Sequence, residues 1–172
     1  QVVEVETARQ MLEAVEAALP VDVAVCAAAV ADWRVAAPKA QKMKKEGARA
    51  LRLDLAANPD ILATLAAAGE RRPRLVVGFA AETEKVIEHA RAKRARKGCD
   101  WIVANDVSPT AGAFGGTENA VHLIDENGVE SWPRLSKDEV ARRLAARIAD
   151  ALAGESAPAA KASGTTGRKA DR

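Results

Sequence analysis

Three short apolar runs limit what this chain can fold into more than any other feature. Residues 21–28 (VDVAVCAA), 74–79 (RLVVGF) and 100–104 (DWIVA) are apolar and rich in small or β-branched residues, the pattern of strands buried on both faces. Between the second and third lies a helical pattern, residues 84–97, which Thr83 is placed to cap and Gly98 to close. Strand, helix and strand in this order predict right-handed βαβ crossovers and a mostly parallel sheet. Open sheets of this kind bind ligands outside the carboxyl ends of their strands, so function is sought at that edge.

The remaining patterns fit around such a sheet. Val2, Val3 and Val5 read as the end of a strand, and Thr7 stands where an N-cap belongs before the helix at 8–19, which Pro20 ends. Leu51, Leu53 and Leu55 alternate with Arg52 and Asp54 as on a half-buried strand within residues 48–57. Asn58 before Pro59 predicts a helix over 59–68 that stops at Gly69. Beyond the Gly-rich stretch SPTAGAFGG, residues 119–125 and 129–133 flank a turn at 126–128 and predict a β-hairpin. Its apolar Val121, Leu123 and Trp132 would be exposed unless covered, which suggests a dimer surface. Ser136 caps a final amphipathic helix over 137–152. From Gly154 the chain is Ala, Ser, Gly, Thr and charge, so one domain at 1–153 is expected with a disordered tail at 154–172.

With 172 residues, 3% aromatics and no Tyr, the core must be built from Ala, Val, Leu and Ile. The formal charge of +2 is accounted for by Lys161, Arg168, Lys169 and Arg172 against Glu155 and Asp171 in the tail. The folded part is balanced, which argues against a broad nucleic-acid or membrane footprint. Cys26 and Cys99 lie far apart without metal-ligand spacing and read as reduced core thiols of a cytoplasmic protein. No apolar run approaches the roughly 18 residues of a membrane span. The opening QVVEVE, without Met and inside an alternating pattern, suggests a start partway through a larger protein.

The first strand breaks at Ala31, Asp32 and Trp33 into a loop that ends in Lys42, Lys44 and Lys45. A core strand followed by a solvated lysine loop is the structural alternative. The helix at 84–97 carries Arg91, Lys93, Arg94, Arg96 and Lys97 in its last two turns, where cations complement the helix dipole. Lys93 and Lys97 share a face, however, and would repel by a few tenths of a kcal/mol unless an anion sits between them. With Lys42 they could form a polyphosphate site. The first-turn amides after Pro59 could hold a phosphate or merely the Asn58 side chain. Phe79 is either core or a platform for a base. Asp32 could order a metal, hydrogen-bond a ligand or lie in a surface turn. His89 and His122 have no partner at a diagnostic spacing, and neither GxGxxG nor GxxxxGK[ST] is present.

Taken together, AAAVADWR, KMKK, NPDIL, VGFAAET, AKRARKGCDWIVANDVS and FGGTENAVHLI resemble phosphopantothenoylcysteine synthetase, the ligase part of the bacterial bifunctional coenzyme A biosynthesis flavoprotein. The resemblance covers residues 2–152. It implies an α/β, Rossmann-like three-layer sandwich with a mostly parallel sheet and a C-terminal β-hairpin. It also implies a reaction in which CTP activates 4'-phosphopantothenate as an acyl-cytidylate, releasing pyrophosphate, and L-cysteine then displaces CMP. The family's nucleotide contacts fall on Cys26, Ala27, Ala28, Asp32, Lys42, Pro59, Asp60, Ile61, Leu62, Phe79, Lys93 and Lys97, with Lys42 the catalytic candidate. Phe79 and the nearby backbone would frame the cytosine, the lysines and helix amides would neutralise the triphosphate, and Mg2+ would clamp the phosphates. Asn105, in the AND motif, is a candidate for the phosphopantothenate side. A homodimer or higher oligomer through an upstream domain is a further implication.

One departure stands out. The family's Gly-rich strand-to-helix turn and the Arg, Asn and Ser-Ser-Gly segment after it have no match here, and are expected upstream with an FMN-dependent decarboxylase domain beyond them. Two rival readings are a non-catalytic nucleotide-binding or dimer-forming module and a nicotinamide-binding dehydrogenase domain. The missing glycine fingerprint argues against the second.

Overall fold

The computed structural model of the chain describes residues 1–39, 41, 52–108 and 118–155. Lys42, Lys44, Lys45, Leu51, most of the Gly-rich stretch and the tail from 156 lie outside the described residues. In chain order the elements are α1 (Ala8–Ala18), β1 (Val23–Cys26), β2 (Trp33–Val35), β3 (Leu55–Ala57), α2 (Ile61–Ala66), β4 (Leu75–Glu82), α3 (Val86–Lys97), β5 (Trp101–Asp106), β6 (Glu118–Asn119), β7 (Val121–Ile124), β8 (Val129–Ser131), β9 (Leu135–Ser136) and α4 (Lys137–Glu155).

The three apolar runs form the parallel heart of a five-stranded sheet of order β1-β4-β5-β7-β8. Cys26 lies beside Gly78, and Gly78 beside Ile102, so the carboxyl ends of β1, β4 and β5 share one edge. The predicted hairpin adds β7 and β8 antiparallel to β5 and to each other. Its turn is built by the Asp125 carboxylate, which accepts from the Asn127 and Gly128 amides at 2.8 and 2.9 Å.

Two apolar clusters fill the faces. On one, Met11, Leu12 and Val15 of α1, Ile61, Leu62 and Leu65 of α2, and Ala90 of α3 cover Val76, Ala80, Ile102 and Ala104. On the other, Val140, Leu144 and Ile148 of α4 cover Val77, Val103, Val121, Leu123 and Trp132. This helix–sheet–helix arrangement bears out the expected α/β, Rossmann-like sandwich. It also removes the argument for a dimer through the hairpin, because α4 buries that apolar face within the chain and leaves Trp132 only 3% exposed.

Several local expectations change. Residues 1–5 form no strand, since alternation does not make a strand without a neighbour to supply hydrogen bonds. Residues 55–57 do form β3, but its partner is β2 in a separate two-stranded ribbon, and Leu53 and Leu55 are exposed rather than half-buried. Thr7 caps α1 in a full capping box with Gln10, as its position predicts. Thr83 does not cap α3, which starts later, behind Lys85 in the left-handed conformation at φ 44°. Gly98 closes α3 at φ 68°, and Ser136 accepts from the Glu139 amide at the start of α4. That last helix runs on through Gly154 to Glu155.

Candidate functional site

At the carboxyl edge of the parallel strands, the chain leaving β1, the start of α2 and the last turns of α3 enclose a cleft of about 340 Å3. Cys26, Ala27, Ala28, Asp32, Pro59, Asp60, Ile61, Leu62, Phe79, Lys93 and Lys97 all line it. Of the nucleotide residues assigned from the sequence, only Lys42 is missing from this set, and it lies outside the described residues. Residues up to 71 positions apart therefore meet at one place, because a parallel sheet delivers all its carboxyl ends to one side.

The start of α2 differs from its sequence reading. Asp60, not Asn58, is the N-cap, and its carboxylate accepts from the Ala63 amide at 3.1 Å. The segment NPD held two candidate caps, and Pro59 precedes the helix rather than opening it. Asn58 braces the cleft instead. Its side-chain amide donates to the Ala31 carbonyl at 2.8 Å, and its backbone amide donates to the Asp32 carbonyl at 2.8 Å. The helix has only six residues, and one first-turn amide is already taken by Asp60.

Both lysines of α3 turn into the cleft, each held by a group of the protein. Lys93 Nζ donates to the Phe79 carbonyl at 2.8 Å, and Lys97 Nζ pairs with Asp60 Oδ2. Their mutual repulsion is thus relieved from within. Burial pushes the Asp60 carboxyl up, but the bonds from Lys97 and the Ala63 amide, with the charges of Lys97 and Arg96, outweigh it and hold the group below the usual carboxylate range. Burial raises the Cys26 thiol, and the Asp60 carboxylate adds to that shift, so Cys26 is held as the thiol. The Phe79 side chain packs against the cluster under α4, while its carbonyl meets Lys93.

Gly78 explains how α2 comes so close. A Cβ there would lie 2.6 Å from Leu62 Cδ2 and 2.8 Å from Ile102 Cδ1, so the bare backbone gives the first turn of α2 its seat on the sheet.

Asn105 sits near the carboxyl end of β5, paired with Ala81 and Val121, and is not among the residues lining this cleft. Sequence reasoning missed Met11 and Val15 of α1, Val30, Ala31 and Asn58, all of which line it. The first two looked like ordinary core positions of an amphipathic helix. A second cavity of about 620 Å3 shares Met11, Val30, Ala31 and Asn58 and extends over Thr7, Arg34 and Val35. The cleft holds two carboxylates, Asp32 and Asp60. Among the described residues no group of three or more His, Cys, Asp or Glu could hold a metal, and no helix is long and apolar enough to cross a membrane.

The family model of the DNA/pantothenate metabolism flavoprotein C-terminal domain matches residues 1–152. The Coenzyme A biosynthesis bifunctional protein CoaBC of Escherichia coli K12 is 41% identical over 145 residues, covering 83% of this chain and 36% of that protein. CoaBC of Vibrio cholerae is 44% identical over 118 residues, covering 68% of this chain and 29% of that protein. The crystal structure of the C-terminal domain of CoaBC superposes with a TM-score of 0.67 at 35% identity, covering 88% of this chain and 66% of that one. The chain therefore spans about a third of the length of these curated relatives, and its motifs, its fold and the match over residues 1–152 agree that it belongs to the family of DNA/pantothenate metabolism flavoprotein C-terminal domains.

Proposed function

We propose that the chain acts in coenzyme A biosynthesis as the nucleotide-binding part of a phosphopantothenate–cysteine ligase that consumes CTP. The observation that carries this reading is the cleft, where positions matched to the family's nucleotide contacts line one cavity beside two lysines. A carboxylate oxygen of 4'-phosphopantothenate attacks the α-phosphorus of CTP, and the bond to the leaving pyrophosphate breaks. The amine of L-cysteine then attacks the acyl carbon, the bond to CMP breaks, and the amine loses a proton as the amide forms.

In this reading the apolar wall of Met11, Val15, Ile61 and Leu62 takes the nucleoside. Lys93 and Lys97, with Lys42, which lies between β2 and β3 in the sequence, neutralise the phosphates and stabilise the charge that builds on the leaving pyrophosphate. Asp60 keeps Lys97 in place until the nucleotide competes for it. Magnesium needs only one or two carboxylates when it rides on phosphates, and Asp32 and Asp60 fit that demand. Bound there, it would offset phosphate charge. Asn105 remains a candidate for the phosphopantothenate side.

A homodimer of the intact enzyme also belongs to this reading. The apolar surface left exposed for it includes Trp33 at 61% and Leu55 at 56% on the β2–β3 ribbon. The second reading is a nucleotide-binding module without catalysis of its own, favoured by a cleft in which both lysines are already held by groups of the protein. Pyrophosphate release from CTP, measured with phosphopantothenate and cysteine added separately, tests both. Binding of CTP without release supports the second, and no CTP binding at all removes both.

A further inference from the structure

A hollow of about 320 Å3 opens at the amino edge of the sheet, where β4 and β5 begin, between α3, the hairpin turn and the end of α4. It shares no residue with the cleft. Arg74, Arg94 and Arg147 line it from the start of β4, from α3 and from α4, beside the largely buried Trp101. Arg74 is turned towards its surroundings, with Nη2 3.5 Å from the Leu152 carbonyl and Nη1 3.9 Å from Asp22. The other two differ. Arg94 donates from Nε to the Asp100 carbonyl at 2.7 Å. Arg147 donates from Nε to Glu130 Oε2 at 3.0 Å, with its guanidinium carbon 5.8 Å from the centre of the Trp101 ring. Among the described residues the Nη nitrogens of Arg94 and Arg147 donate to no protein group. Two guanidinium forks are thus held by their inner nitrogens while their outer donors stay open.

The carboxylates around the hollow are not equal. Asp100 accepts from Arg72 with both oxygens and from the Val76 amide, so its charge is already answered. Asp125 uses Oδ1 for the Asn127 and Gly128 amides, which leaves Oδ2 open. Glu126, exposed at the hairpin turn, has no hydrogen bond or ion pair among the described residues. One side of the hollow therefore offers open donors and the other open acceptors. A helix dipole favours a cation near the end of α3, but it does not bring a second arginine from α4 to the same place. Paired forks suit an oxyanion with several oxygens, above all a phosphate. We propose that this hollow binds a small phosphate monoester, with its phosphate on Arg94 and Arg147 and its hydroxyl or amino groups on Glu126 and Asp125. Inorganic phosphate would fill only part of the space, and the organic part of the ligand takes the rest. The inference is independent of the nucleotide reading, since none of these residues lines the cleft.

The test is calorimetric titration of this chain with glycerol 3-phosphate, inorganic phosphate and glycerol at constant ionic strength, alongside thermal melts that show each variant folded. Glycerol 3-phosphate should bind more tightly than inorganic phosphate, and glycerol should not bind. Arg94→Gln and Arg147→Gln should each weaken glycerol 3-phosphate by about tenfold or more, the scale of one charge-assisted contact. Arg147→Lys should not restore it, because an ammonium keeps the charge and loses the fork. Glu126→Gln should narrow the advantage of glycerol 3-phosphate over inorganic phosphate. Two controls decide where the phosphate sits. Lys93→Gln in the cleft and Arg142→Gln on the exposed side of α4 should leave the affinity as it is. No binding of either phosphate by wild type would overturn the proposal. So would a loss in Lys93→Gln as large as in Arg147→Gln, which would put the phosphate in the cleft, or an equal loss in Arg142→Gln, which would mean attraction to a basic surface alone.

Discussion

The Asp60 carboxylate holds the first turn of α2 with one oxygen and Lys97 of α3 with the other. A single side chain thus closes a helix start and pins a cation of the cleft, 37 residues away along the chain. Fold and site depend here on the same group.

This dual contact predicts how stability varies with pH. The folded-state pKa of Asp60 lies below its ordinary value, so its contribution is fully present above the unfolded value of about 3.9 and is lost as the pH falls through the lowered folded value. Thermal melts of wild type and Asp60→Asn should therefore differ most at neutral pH and converge in acid. Melting curves that keep a constant separation from about pH 6 to pH 3 would show that the pair contributes nothing pH-dependent.

The lysines give a second prediction. Each contact to the triphosphate should be worth roughly 1.5–3 kcal/mol, or about ten- to over a hundredfold. Lys93→Gln and Lys97→Gln should raise the CTP requirement of the intact enzyme by that range, less whatever each lysine gives up in leaving Phe79 or Asp60. Lys42→Gln should impair formation of the acyl-cytidylate more than its reaction with cysteine. Equal CTP dependence in wild type and all three variants would refute the phosphate assignment.

Much of this was legible in the sequence because it is local or periodic. The strands β4 and β5, the N-cap at Thr7, the closure at Gly98 and the hairpin turn each announce themselves in a few residues. What was not legible depends on contacts distant in sequence. Asn58 and Asp60 are both good caps, and the choice between them is made by the Ala31 carbonyl and by Lys97. The alternation at residues 51–55 looks half-buried in isolation, yet Leu53 and Leu55 are exposed on a ribbon outside the main sheet. The hairpin's apolar face reads as a dimer surface in the sequence, because no local pattern says that α4 folds back over it.

Gly78 carries a third prediction. Its Cβ would enter a space already filled by Leu62 and Ile102, both buried, so Gly78→Ala should cost about 1–3 kcal/mol by overpacking. Because Leu62 lies in the first turn of α2, nucleotide affinity should fall as well in the fraction that stays folded. Chemical denaturation alongside CTP titration would check both. An unchanged midpoint would mean that the two side chains give way freely.

The fourth prediction separates the scaffold from the site. Asp100 accepts from Arg72 Nη2 with both oxygens at 2.9 Å and from the Val76 amide at 2.7 Å, while its own carbonyl accepts from Arg94 Nε at 2.7 Å. Arg72 in turn donates to the Ala66 and Pro73 carbonyls at 3.0 and 2.9 Å, tying the end of α2 to the amino ends of β4 and β5. This clamp sits at the opposite edge of the sheet from the cleft. Removing the carboxylate in Asp100→Ala takes its acceptor from the Val76 amide and leaves the Arg72 guanidinium only backbone carbonyls, at a cost of about 1–3 kcal/mol. Nucleotide affinity of the folded variant should match wild type, since neither residue lines the cleft. A large loss of CTP binding with an unchanged denaturation midpoint would show that the two edges of the sheet are coupled, and that the clamp does more than hold the strands.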